Sequence, residues 1–152
     1  MSDSVAIVWD DALRAYDFGP GHPLAPIRVE LAMRLAREFG LLDVPNVEVL
    51  SPVVPATIEQ ISEVHELEYI AAVQRASVNP RDIDPARGLG TPDDPAFAGM
   101  HEASALVAGA TLMAAQAVHS GRAQHAVNIA GGLHHAMPDS AAGFCIYNDI
   151  GV

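Results

Sequence analysis

Three short apolar runs, spaced widely along the chain with helical patterns between them, set the architecture. Val5-Ala6-Ile7-Val8 reads as a buried strand, Val47–Val54 as a second strand broken by Pro52, and Gln124–Ala130 as a third, buried strand. Pro26 can open a helix in which Leu31, Leu35 and Phe39 lie on one face, with Gly40 as its C-cap. Thr57-Ile58-Glu59-Gln60 has the capping-box pattern, with Ile61 and Val64 continuing an apolar stripe. A further helix is predicted over 66–76, and a long one over 101–120, ended by Gly121. The order β-α-β-α-α-loop-α-β predicts an α/β fold with a mainly parallel sheet. The stretch 77–99, rich in Pro and Gly, reads as a long loop of the kind that carries function.

Composition narrows the function classes. A length of 152 residues suits one domain with a sizeable core, and a chain that is 50% hydrophobic is not a disordered acidic tail. The net charge of −11, with Arg as the sole basic residue type, argues against nucleic acid, because phosphate binding needs clustered cations. The single cysteine, Cys145, fits a reducing compartment and reads as a buried, unactivated thiol. Met1-Ser2-Asp3-Ser4 lacks the features of a secretory signal, and the uncharged run 103–118 is too short for a membrane span. The expectation is a cytoplasmic protein with no membrane partner. Asn148 and Asp149 read as N-cap residues of a helix that Ile150-Gly151-Val152 would begin, so the chain is expected to be a piece of a longer domain.

The chemistry concentrates after the third strand, in Gly131-Gly132-Leu133-His134-His135. Ligands of open α/β sheets bind at the carboxyl ends of strands, and glycines there permit close backbone approach. Two adjacent imidazoles titrate near neutrality and need a bend to face one site, which the glycines can supply. Taken alone, the pair also reads as a surface coincidence. In the same way Asp93 also reads as a turn residue, Arg28 as a charge at a helix start and Phe144 as core.

These segments together resemble the histone deacetylase superfamily. Gly131–Ala136, continuing to Gly143-Phe144-Cys145-Ile146-Tyr147-Asn148-Asp149-Ile150, is similar to its signature. Tyr16-Asp17-Phe18-Gly19-Pro20-Gly21-His22-Pro23, with Pro26 and Arg28, resembles its Gly-His-Pro-x-x-Pro-x-Arg block, and 90–97 its aspartate-bearing loop. The style is most like the bacterial acetoin-utilization branch. The resemblance runs from about Val5 to Val152 and covers less than half of the family's catalytic domain.

The resemblance implies a three-layer arginase/deacetylase-like fold, incomplete in residues 1–152. It implies hydrolysis of acetyl-lysine, on a protein or in a related small acetylamide, by water bound to zinc. It makes His135 the general base and His134 the partner that supports charge or protonates the leaving amine. Asp93 would be the rim carboxylate that grips the substrate backbone, with Asp94 beside it if the register is off by one. Gly143 and Phe144 would wall the acyl-lysine channel, and Arg28 would belong to the cavity of acetate release. The family's metal-binding Asp-x-His pair, its later Asp and its late Tyr have no counterpart in residues 1–152, so zinc is expected only for the whole family member. The alternative is a catalytically inert truncated or split-half module. Either way the isolated piece is expected to expose sheet edges and helix faces and to associate through them.

Overall fold

The computed structural model describes residues 4–152; Met1–Asp3, read above for a secretory signal, lie outside the described residues. Strand β1 (Val5–Val8) is the centre of a three-stranded sheet and pairs in parallel with β2 (Val47–Leu50) on one side and β3 (His125–Asn128) on the other. Val5 lies opposite both Val47 and His125, and Val8 opposite both Leu50 and Asn128, so the three strands end level. Ala6 and Val8 are fully buried. The α/β class and the parallel sheet are those the element order predicts.

Two strands differ from expectation. β2 stops at Leu50 rather than continuing to Val54, because Pro52 has no N–H to donate to a ladder. β3 spans four residues rather than 124–130, and it is not a buried strand: Val127 is 44% exposed. Within the described residues β3 is an edge, and only part of it is covered by the helix above.

The helices are α1 (Ile27–Glu38), α2 (Ile58–Ile61), α3 (Leu67–Val78) and α4 (Met100–His119). Pro26 precedes α1, and Gly40 adopts the left-handed conformation just past its end, as predicted. The Leu31–Leu35–Phe39 face, however, is the solvent side of α1, with Phe39 73% exposed; only Met33 of this helix is buried. The capping box forms as read: Gln60 N–H donates to Thr57 Oγ1 at 3.3 Å and Thr57 N–H to Gln60 Oε1 at 2.8 Å. α2 nonetheless ends after one turn at Ile61.

α4 crosses the sheet and packs on α3, and half its residues are buried. Its small side chains let backbones approach. The Ala56 N–H donates to the Ala105 carbonyl at 2.8 Å, and a Cβ on Gly109 would overlap the Val54 carbonyl. Among the described residues no helix is long and apolar enough to cross a membrane.

The Pro- and Gly-rich stretch is ordered around Arg87. Its guanidinium lies 3.4 Å from Glu68 and 3.6 Å from Asp84 and donates to the Asp139 carbonyl at 3.2 Å, while its own carbonyl accepts from Ala141 N–H at 2.9 Å. This ties the loop before α4 to the segment that follows β3.

Candidate functional site

The chain leaves β3 through a turn that Asn128 closes on itself, its Oδ1 accepting from Ala130 N–H at 3.1 Å. Gly132 takes a positive φ of 93°. The turn brings the two adjacent imidazoles onto one side: the His134 and His135 rings lie 4.4 Å apart, tilted by 47°, and both residues are exposed. The bend expected of the glycines is therefore present.

Gly143 lies close against the second of them, His135. A Cβ there would stand 3.0 Å from the His135 ring, so a side chain would push the imidazole aside. Phe144 follows with φ of 69°, the one non-glycine residue with positive φ among those described. The strained wall is held from behind by Tyr16, whose hydroxyl donates to the Phe144 carbonyl at 2.9 Å and accepts from Ile146 N–H at 3.0 Å. Burial pushes the Tyr16 phenol well above its ordinary pKa, so it stays neutral in both roles.

In front, the Phe144 ring meets His22 edge-on at 4.6 Å, and His22 packs on Phe18 at 4.5 Å. The His22 Nδ1 accepts from Leu24 N–H at 3.1 Å, which leaves Nε2–H to donate to the Asp93 carbonyl at 3.1 Å. One histidine thus joins the Gly-His-Pro loop, the loop that carries Asp93 and the Phe144 ring.

A cavity of about 330 Å³ places Arg28, His134, His135, Gly143 and Phe144 on one lining. These come from the start of α1, the turn after β3 and the segment beyond it. Asp93 is not on that lining; it is exposed nearby, whereas Asp94 is 1% exposed. The pair is thus split between solvent and interior. Cys145 is buried and its thiol is pushed up by burial, so it is no nucleophile. No three His, Cys, Asp or Glu side chains among the described residues converge to hold a metal ion.

Four residues around the site escaped the sequence reading. Tyr16 and His22 lie inside the Gly-His-Pro block but were given no role. Asn148 caps the turn that follows as expected, its Oδ1 accepting from Gly151 N–H at 3.0 Å, but Asp149 does not cap: it is 1% exposed, and its carboxylate accepts backbone N–H groups of the histidine loop. A carboxylate two positions after the apolar run 144–147 was the available signal, since a buried carboxylate must find donors.

Residues 22–152 match the family model described as histone deacetylase domain. The chain is 42% identical over 154 residues to the acetoin utilization protein AcuC of Bacillus subtilis (strain 168), covering 100% of this chain and 39% of that protein. It is 35% identical over 153 residues to AcuC of Staphylococcus aureus (strain MSSA476), covering 99% of this chain and 39% of that one. AcuC of Staphylococcus xylosus is 34% identical over 154 residues, covering 100% and 39%. The chain spans about two fifths of the length of these curated relatives.

Proposed function

The chain belongs to the histone deacetylase family, and from that premise we propose that residues 1–152 are the N-terminal part of a single AcuC-type catalytic domain hydrolysing acetyl-lysine or a related acetylamide. The observation that carries this reading is the tandem imidazole pair at 4.4 Å on a cavity it shares with Gly143, Phe144 and Arg28.

In this reading His135 takes a proton from the attacking water, whose oxygen bonds to the acetyl carbon. His134 supports the charge that develops, and a proton passes to the amine nitrogen as the C–N bond breaks, giving acetate and the free amine. Gly143 leaves room for the aliphatic stem and the Phe144 face grips it. The Asp93 carboxylate accepts N–H groups of the substrate backbone at the rim, and the Arg28 cation attracts the acetate product. The family resemblance implies zinc with ligands expected outside residues 1–152; the described side chains form no site for it, and no step above is routed through it.

The substrate is an acetylated protein or small acetylamide of the cytoplasm, not a nucleic-acid-bound one; the net charge of −11 supports this. The exposed Leu31–Leu35–Phe39 face and the β3 edge support association of the isolated piece.

The test is turnover of an acetyl-lysine peptide. Residues 1–152 alone are expected to show none. In a protein carrying this segment within a whole catalytic domain, His135→Ala is expected to lower kcat by roughly 10²- to 10⁴-fold, the usual worth of a general base. An unchanged kcat would overturn the assignment.

A further inference from the structure

We infer that the dipeptide Asn148-Asp149 is a clasp that sets the position of the tandem histidines, gripping the backbone of their loop through both its N–H groups and its carbonyls. The Asp149 carboxylate accepts from Leu133 N–H at 2.6 Å and from Gly132 N–H at 3.1 Å. The Asn148 amide donates to the carbonyls of Ala136 at 3.2 Å and His134 at 3.4 Å. His134 and His135 therefore hang from a span anchored on both sides, within one or two residues of each anchor.

The clasp is itself braced from the core. The Thr111 hydroxyl, on α4, donates to Asp149 Oδ2. Asn128, the last residue of β3, donates through Nδ2 to Thr111 Oγ1 at 2.9 Å and to the Val107 carbonyl at 3.1 Å. Asn148 N–H donates to Nε2 of the buried His65 at 2.9 Å. Helix, strand and wall segment thus converge on one carboxylate that is 1% exposed. Without the clasp, the loop amides would lose a charged acceptor, and the Leu133 amide would lose it in a buried place.

The clasp also explains why Gly131 has no side chain. A Cβ there would stand 2.5 Å from Asp149 Oδ2 and 2.8 Å from Asn128 Nδ2, so any larger residue would part the network. Asn148 and Asp149 touch no reacting atom; they are positioning residues. A misplacement of about 1 Å is enough to cost catalysis heavily. Only this catalytic consequence rests on reading His134 and His135 as the acid–base pair.

The clasp is tested without turnover, by NMR on residues 1–152. Asp149→Asn puts an NH₂ group where the loop amides need an acceptor. Amide exchange at Gly132 and Leu133 is expected to rise roughly ten- to a hundredfold, the range for losing a hydrogen bond to a charged group. Amides of β1 should keep their protection. The imidazole nitrogen resonances of His134 and His135 should move while those of His119 and His125 stay. Thr111→Val should shift the same signals less, and Thr111→Ser, which keeps the hydroxyl, should restore them. The Thr111 pair decides the matter if Asp149→Asn does not fold. Unchanged exchange at Gly132 and Leu133, or an equal rise throughout β1 and the loop, would overturn the clasp. The expected exchange pattern beside an unchanged kcat in His135→Ala would instead overturn the catalytic reading and leave the clasp standing.

Discussion

The segment that follows β3 and the loop before α4 each bury a carboxylate to 1% exposure, yet they hold it in opposite ways. Asp149 is met by two backbone N–H groups and a hydroxyl aimed at its oxygens. Asp94 keeps Oδ1 without a hydrogen-bond partner, and its carboxyl is pushed up to about 6, first by burial and then by the neighbouring negative charge of Asp93. Nearby amides of Phe144 and Cys145 and the His22 ring pull it back only in part. Depth of burial is equal, so it is the aimed donors that separate the two: Asp149 has its oxygens met, and Asp94 is left with one oxygen unmet and a raised pKa.

The contrast is broken most forcefully at Asp149. Asp149→Ala removes the acceptor of two amides and a hydroxyl, the Leu133 amide among them buried, and is expected to cost about 3 kcal/mol in urea unfolding, from the lost bonds and the penalty of the orphaned donors. A loss as small as that of a surface substitution would mean that water reaches those donors, and the comparison would fail.

At Asp94 the expected sign is reversed. The folded chain holds this proton more tightly than the unfolded chain does, since the carboxyl moves from the usual 3.8 to about 6. Its contribution to stability is therefore full below about pH 4 and is lost as the pH rises through about 6. Asp94→Asn removes that loss and is expected to be more stable than the parent by on the order of 2 kcal/mol at pH 8, with the gap closing toward pH 4. Urea midpoints of both proteins across that range provide the measurement, and parallel curves would sink the claim.

The wall between the two carboxylates sharpens the contrast further. Gly143→Ala adds a Cβ at 3.0 Å from the His135 ring on a residue with φ of 56°. We expect a cost of roughly 1 kcal/mol, as for a side chain at a positive φ, with the His135 imidazole resonance moved and that of His65 unmoved. An unmoved His135 would show that the wall does not set the ring.

Much of the fold was legible in sequence because it depends on neighbours along the chain. The capping box at Thr57 and Gln60, the left-handed Gly40, and Gly121 closing the long helix follow from local hydrogen bonding and φ. The α1 stripe misled, since periodicity shows that Leu31, Leu35 and Phe39 share a face but not which side of the helix the rest of the chain covers. β2 ends ahead of the Pro52 that breaks the run, but the exposure of β3 was not legible, since an apolar run records the tendency to pair and not which layers arrive to cover it.

For the site, the sequence by itself determined the residue types, their order and the glycines that let the loop after β3 bend. It supplied His134, His135, Gly143, Phe144 and Arg28, which the fold then gathers on one cavity. Only the tertiary structure decided that Asp93 faces solvent while Asp94 faces inward. It alone decided that Tyr16 props a wall 128 positions away and that Asp149 grips the histidine loop rather than capping a helix. The physical reason is that a side chain's chemistry is written locally, but the donors and acceptors that fix its place and charge come from segments whose distance in sequence hides their contact in space.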